Sequence, residues 1–63
     1  MRNRVRELRE KMSLTQEELA KLCDLKYQPR VAEIESGKVS PTYNTMLKIS
    51  KVLKYPVDKI FLP

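Results

Sequence analysis

Histidine and tryptophan are absent from this chain of 63 residues, and glycine, cysteine and phenylalanine occur once each. With no histidine and Cys23 as the sole thiol, neither a zinc site nor a histidine-dependent nucleophile or base can be assembled, so no metal, no cofactor and no enzymatic activity are expected. A single cysteine also excludes an intramolecular disulfide. Its place on the apolar face of a helical pattern marks Cys23 as a buried, inert thiol rather than a redox sensor. No apolar run approaches the roughly 20 residues that span a bilayer, and the arginine-rich start lacks the apolar stretch of a signal peptide. A cytoplasmic protein with no membrane partner is the expectation. The length gives room for one domain, residues 1–63, and a chain this small buries only about 60% of its unfolded surface. Lys and Arg number 13 against 8 Asp and Glu, a net charge of +5. That excess suits a polyanionic partner, although it also serves solubility by itself.

What is present is organised around Thr15 to Lys38. The spacing Thr15-Gln16-Glu17-Glu18 is a capping box: the Thr15 hydroxyl accepts from the Glu18 N–H while the Glu18 carboxylate accepts from the Thr15 N–H. Leu14 before the cap and Leu19 within the helix form a hydrophobic staple that sets the angle of entry. Leu19, Ala20 and Cys23 carry the apolar face as far as Asp24. After Leu25 a new start is marked by Lys26-Tyr27-Gln28-Pro29, where Pro29 suits a first helical turn because its missing N–H has no helical partner to lose. Val31 and Ile34 then share one face, and Gly37 in Ser36-Gly37-Lys38 ends the helix in the left-handed conformation. Two short helices with a brief break between them read as a helix-turn-helix, the second being only about two turns long.

On either side of this unit the periodicity predicts three more helices and no strand. Asn3 caps a helix to about Met12, with Val5, Leu8 and Met12 as its core-facing stripe. Arg2, Arg4, Arg6 and Arg9 make that helix basic, either as a solvated face partly paired with Glu7 and Glu10 or as a contact to phosphate. A loop over Val39-Ser40-Pro41-Thr42 leads to a helix capped by Thr42, from Tyr43 to about Leu53, burying Met46, Leu47, Ile49, Leu53 and Val52. Tyr55-Pro56 interrupts it. Val57 to Phe61 forms a last turn.

The residues Leu8-Arg9, Leu14-Thr15-Gln16-Glu17-Glu18-Leu19-Ala20, Ile34-Glu35-Ser36-Gly37-Lys38, Pro41-Thr42 and Leu47-Lys48-Ile49 together resemble the DNA-binding domain of the phage Cro and repressor family, the Xre-type regulators. The resemblance runs from about Arg4 to Phe61. It implies an all-α, compact five-helix, lambda-repressor-like domain that binds double-stranded DNA. Two departures stand out: one extra residue between Ala20 and Ile34, with Asp24 in place of the turn glycine, and Pro29 where the family commonly has a polar base-reading residue.

In this family the second helix of the motif lies in the major groove and the first crosses the backbone. The resemblance therefore assigns Gln28, Pro29, Arg30 and Glu33 to base reading. Gln28 suits adenine, Glu33 the cytosine amino group, Pro29 a thymine methyl, and Arg30 guanine or a phosphate. For Glu33 the alternative is an ion pair with Arg30, one turn away. Gln16, Lys26, Tyr27, Lys38, Thr42 and Tyr43 fall where backbone phosphates pass, contacts that position without specifying. Gln16 reads equally as a solvated glutamine. Lys48, Lys51, Lys54 and Lys59 add long-range attraction. The family pattern also places a structural ion pair between Arg9 and Glu35. The function implied is a sequence-specific regulator, most simply a repressor acting as a homodimer on a pseudopalindromic operator, with no small-molecule effector. Leu62 and Phe61, with little chain after them, are the candidate dimer contact. The alternative is a protein-interaction module of the same fold, for which Glu33 and Glu35 speak.

Overall fold

With one glycine to spend, this chain ends most of its helices on other residues. The computed structural model describes residues 2–27 and 29–62 and contains five helices: α1 (Val5–Lys11), α2 (Gln16–Leu22), α3 (Arg30–Glu35), α4 (Tyr43–Leu53) and α5 (Val57–Ile60). There is no strand among the described residues, only an isolated antiparallel bridge between Asn3 and Phe61. Among the described residues no helix is long and apolar enough to cross a membrane.

Both ends of the α1–α2 connection are fixed locally. Ser13 takes φ 58°, and the N–H groups of Ser13 and Leu14 donate to the carbonyls of Glu10 and Arg9 at 3.0 and 3.1 Å, the paired bonds of a Schellman motif. Two residues later Thr15 opens α2 with the expected capping box, Glu18 N–H to Thr15 Oγ1 at 3.0 Å and Thr15 N–H to Glu18 Oε1 at 2.8 Å. At the end of α2 the same motif recurs. Asp24 takes φ 56°, its N–H donating to Lys21 and that of Leu25 to Ala20. Asp24 thus does the work of the glycine it replaces, since a short polar side chain tolerates the left-handed region better than most. Gly37, at φ 83°, closes α3.

A left-handed serine carries a steric cost that glycine lacks. Ser13→Gly is therefore expected to stabilise the domain by about 0.5–1 kcal/mol, the gain in strain exceeding the added freedom of the unfolded chain. Chemical denaturation would register it as a higher midpoint at unchanged slope. A lower midpoint would show that the Ser13 conformation costs nothing.

The apolar residues meet in one core of Val5, Leu8, Leu19, Ala20, Cys23, Val31, Ile34, Ile49, Leu53, Ile60 and Phe61, with Leu14, Leu25, Met46, Val52 and Val57 packed against it. Two expectations fail here. Met12, placed on the core stripe by its spacing, caps the end of α1 and is 40% exposed; Leu47 is 37% exposed. Helix α1 stops at Lys11, which releases Met12 from the periodicity. On α4, Ile49, Leu53 and the half-buried Met46 and Val52 already fill the inward face. Asn3 is not the cap of α1, since Arg4 holds the N-cap position, without a side-chain cap bond. The Asn3 Oδ1 accepts from the Val5 N–H at 3.1 Å, while its Nδ2 donates to the Ile34 carbonyl at 2.8 Å, so it joins the start of α1 to α3. Cys23 is buried, and loss of hydration pushes its thiol up to about 11, keeping it protonated at neutral pH.

Of the two residues expected at a dimer contact, Phe61 belongs instead to the core. Phe61 is 8% exposed and part of the core. The backbone around it is tied to the N-terminus through Arg4 N–H to Ile60 C=O at 2.8 Å and Leu62 N–H to Arg2 C=O at 2.9 Å. Phe61 is covered by the core, whereas Leu62 stays half-buried.

Candidate nucleic-acid interface

Helix α3 buries Val31 and Ile34 and exposes Pro29, Arg30 and Ala32, with Glu33 half-exposed. At about 100° per residue, Pro29 points away from the core with Ala32 and Glu33 to either side of it, whereas Arg30 and Glu35 project sideways in opposite directions. Arg30 turns toward the start of α4 and shares a cleft with Ser40, Pro41, Thr42 and Thr45. Glu35 turns toward α1. Ala32 was missed by the sequence reading. Burial of Val31 and Ile34 on one face already requires it to point outward, but an alanine shows no chemistry in a sequence beyond the apolar contact it can make with a thymine methyl. Gln28 lies outside the described residues.

Arg30 is held on two sides. Its guanidinium carbon lies 5.6 Å from the centre of the Tyr27 ring, within cation–π range, and its Nε is 3.5 Å from Glu33 Oε1. The carboxylate of Glu33 thereby brings little net charge to the exposed face. Lys26, Tyr27 and Lys38 are exposed around α3, as are Thr42 and Tyr43 at the start of α4. Thr42 caps that helix, its Oγ1 accepting from the Thr45 N–H at 3.3 Å. Lys26, Tyr27, Arg30 and Thr42 line the one cleft, so the chain before α3 and the chain before α4 are brought side by side.

On the opposite flank Arg9 and Glu35 meet across 2.6 Å, from Nε to Oε2, with side chains 11% and 5% exposed. The carboxylate hydrogen bond raises the Arg9 pKa further above its ordinary value. Arg9 Nη1 also donates to the Leu14 carbonyl at 2.7 Å. Gln16, exposed as the first residue of α2, donates from Nε2 to Glu35 Oε1 at 3.0 Å. On α1 itself Arg4 pairs with Glu7 at 3.0 Å and Arg6 with Glu10 at 3.5 Å. These exposed arginines are thus partly neutralised within their own helix.

The geometry is that of two short helices, α2 and α3, packed on each other, the second with one face in the core and the other bare. A family model described as helix-turn-helix matches residues 5–60. Two proteins of the archaeon Archaeoglobus fulgidus, each named as an uncharacterized HTH-type transcriptional regulator, are 36% identical over 62 residues, spanning 98% of this chain and 86% and 87% of their own lengths. The departures at Asp24 and Pro29 leave core, caps and helix order intact, and the chain belongs to the Cro and repressor (Xre-type) family of helix-turn-helix transcriptional regulators.

Proposed function

We propose that this protein is a sequence-specific regulator of transcription in the cytoplasm, a repressor that occupies an operator with α3 in the major groove. The observation that carries the reading is the bare outer face of α3, framed by Lys26, Arg30 and Lys38 and by the start of α4. Pro29, Ala32 and Glu33 face base edges, and Gln28 is assigned to base reading by the family resemblance alone. Arg30, steadied by Tyr27 and Glu33, reaches either guanine or the phosphate beside it. Gln16, Lys26, Tyr27, Lys38, Thr42 and Tyr43 position the domain on the backbone. A helix of this length meets only a few base pairs, so two copies bind half-sites about 34 Å apart. The competing idea of a protein-interaction module leaned on Glu33 and Glu35. Both are engaged within the domain, Glu33 with Arg30 and Glu35 with Arg9, which counts against that idea.

The test is binding to duplex DNA from upstream of the protein's own gene, against a scrambled duplex, at several salt concentrations. Log affinity should fall linearly with log salt, and the two duplexes should differ by about 10³-fold or more. Lys38→Ala should weaken both alike and flatten the salt slope by about one. Gln28→Ala should cost about 1–3 kcal/mol on the specific site and relax preference at one position. No binding to either duplex at low salt would sink the regulator reading. A complex with one protein per full operator would sink the dimer.

A further inference from the structure

The buried ion pair reaches the proposed DNA face through one side chain. Glu35 Oε2 takes the Arg9 Nε–H at 2.6 Å, while Oε1 is shared between Arg9 Nη2 at 3.4 Å and Gln16 Nε2 at 3.0 Å. Arg9 Nη1 holds the Leu14 carbonyl. The chain is therefore tied on both sides of the Thr15 cap, at Leu14 to Arg9 and at Gln16 to Glu35. A carboxamide carries two N–H bonds in one plane, so fixing one fixes the direction of the other. With one N–H of the exposed Gln16 spent on a carboxylate 5% exposed, the second is left on the solvent side. A carboxylate this near a phosphate would repel it. Arg9, held against both its oxygens, cancels that charge where it arises.

We infer that Glu35 is a positioning residue for DNA binding: it holds the Gln16 amide so that the outer N–H is presented to a backbone phosphate, and Arg9 keeps Glu35 in place. The inference rests on the reading above, in which Gln16 faces the DNA backbone. A glutamine free in solution has several rotamers and loses that freedom on binding; here the loss is taken during folding. The stabilising pair and the backbone contact are consequently coupled, and the mutual setting of α2 and α3 is linked to the grip on DNA by one hydrogen bond.

A cycle on the intact chain tests this. In the wild-type background Gln16→Ala should weaken binding to both the upstream and the scrambled duplex about tenfold, the loss of one hydrogen bond to a charged group. The salt slope should not change, because the amide is neutral and displaces no counterion. In an Arg9→Met/Glu35→Leu background, where an apolar pair replaces the ionic one, Gln16→Ala should change affinity by less than about twofold. Equal tenfold losses in both backgrounds would overturn the inference and leave the regulator reading intact. So would no loss in the wild-type background. Failure of the wild-type chain to bind either duplex at low salt would overturn the regulator reading and this inference with it. A second measurement needs neither DNA nor a folded double variant: the two Nε2 protons of Gln16 should resonate further apart in the wild-type protein than those of a free carboxamide. Free-amide values there would overturn the inference outright.

Discussion

Glu35→Ala is expected to destabilise the domain by about 3–5 kcal/mol, because it leaves the buried Arg9 guanidinium with only the exposed Glu10 carboxylate, 4.0 Å away, as a counter-charge. Domains hold roughly 0.05–0.15 kcal/mol of stability per residue, so such a loss removes a large share of what a chain of this length has. The magnitude follows from burial: side chains 11% and 5% exposed place the pair out of the solvent that would screen it, whereas exposed pairs such as Arg6–Glu10 contribute at most about 1 kcal/mol. Arg9→Ala should cost a similar amount, since it strands the carboxylate and also removes the donor to the Leu14 carbonyl. The double variant Arg9→Ala/Glu35→Ala should cost clearly less than the sum, with a coupling of about 0.5–3 kcal/mol. Urea melts of the four proteins decide it. Additive losses would mean that the two groups do not sense each other across the 2.6 Å that separates them. Substitution of the pair by Met and Leu should cost less than either single truncation, because an apolar pair escapes the desolvation cost although the Leu14 carbonyl still loses its donor.

Phe61→Ala should cost about 3–5 kcal/mol, the range for removing a buried aromatic ring from a core. Phe61 packs with Val5 and Ile60 in the same cluster. The bridge to Asn3 and the bond from Leu62 to Arg2 flank it, so the cavity left behind lies between two chain ends that cannot close over it without losing those bonds. The loss should be the same at every protein concentration, as for a core residue of a monomer. A melt that depends on concentration in the wild-type protein and loses that dependence in Phe61→Ala, with the monomer barely affected, would instead return Phe61 to the subunit interface.

The helices and their ends were legible because their causes are local. Thr15 and Glu18 satisfy each other within one turn, and Thr42 reaches Thr45 in the same way. Gly37 takes the left-handed conformation that its place after Ser36 requires. The family resemblance added the Arg9–Glu35 pairing, which no spacing within either helix contains. For the candidate site, the exposure of Pro29 and Arg30 followed from the burial of Val31 and Ile34. Ala32 followed from the same rule but carried no chemistry to draw notice. The orientation of Arg30 toward α4, rather than straight outward, depends on where the Ser40 to Thr45 segment comes to lie.

The sequence by itself determined five helices, the caps at Thr15, Thr42 and Gly37 and the two inward residues of α3, because hydrogen bonds between residues three or four apart and a 3.6-residue period act before any long-range contact forms. Only the tertiary structure decided which apolar residues that period buries and what each polar side chain meets. Met12 was left outside because α1 ends at Lys11, and Leu47 because Ile49, Leu53, Met46 and Val52 already fill the inward face of α4. Phe61 was brought in by the pairing of the two chain ends, with Arg4 Nη1 reaching the Lys59 carbonyl 55 residues away. The Gln16 amide found Glu35 across 19 residues and Arg9 found it across 26. Contacts at such separations are selected by packing of whole helices, and no local pattern in the chain encodes their geometry.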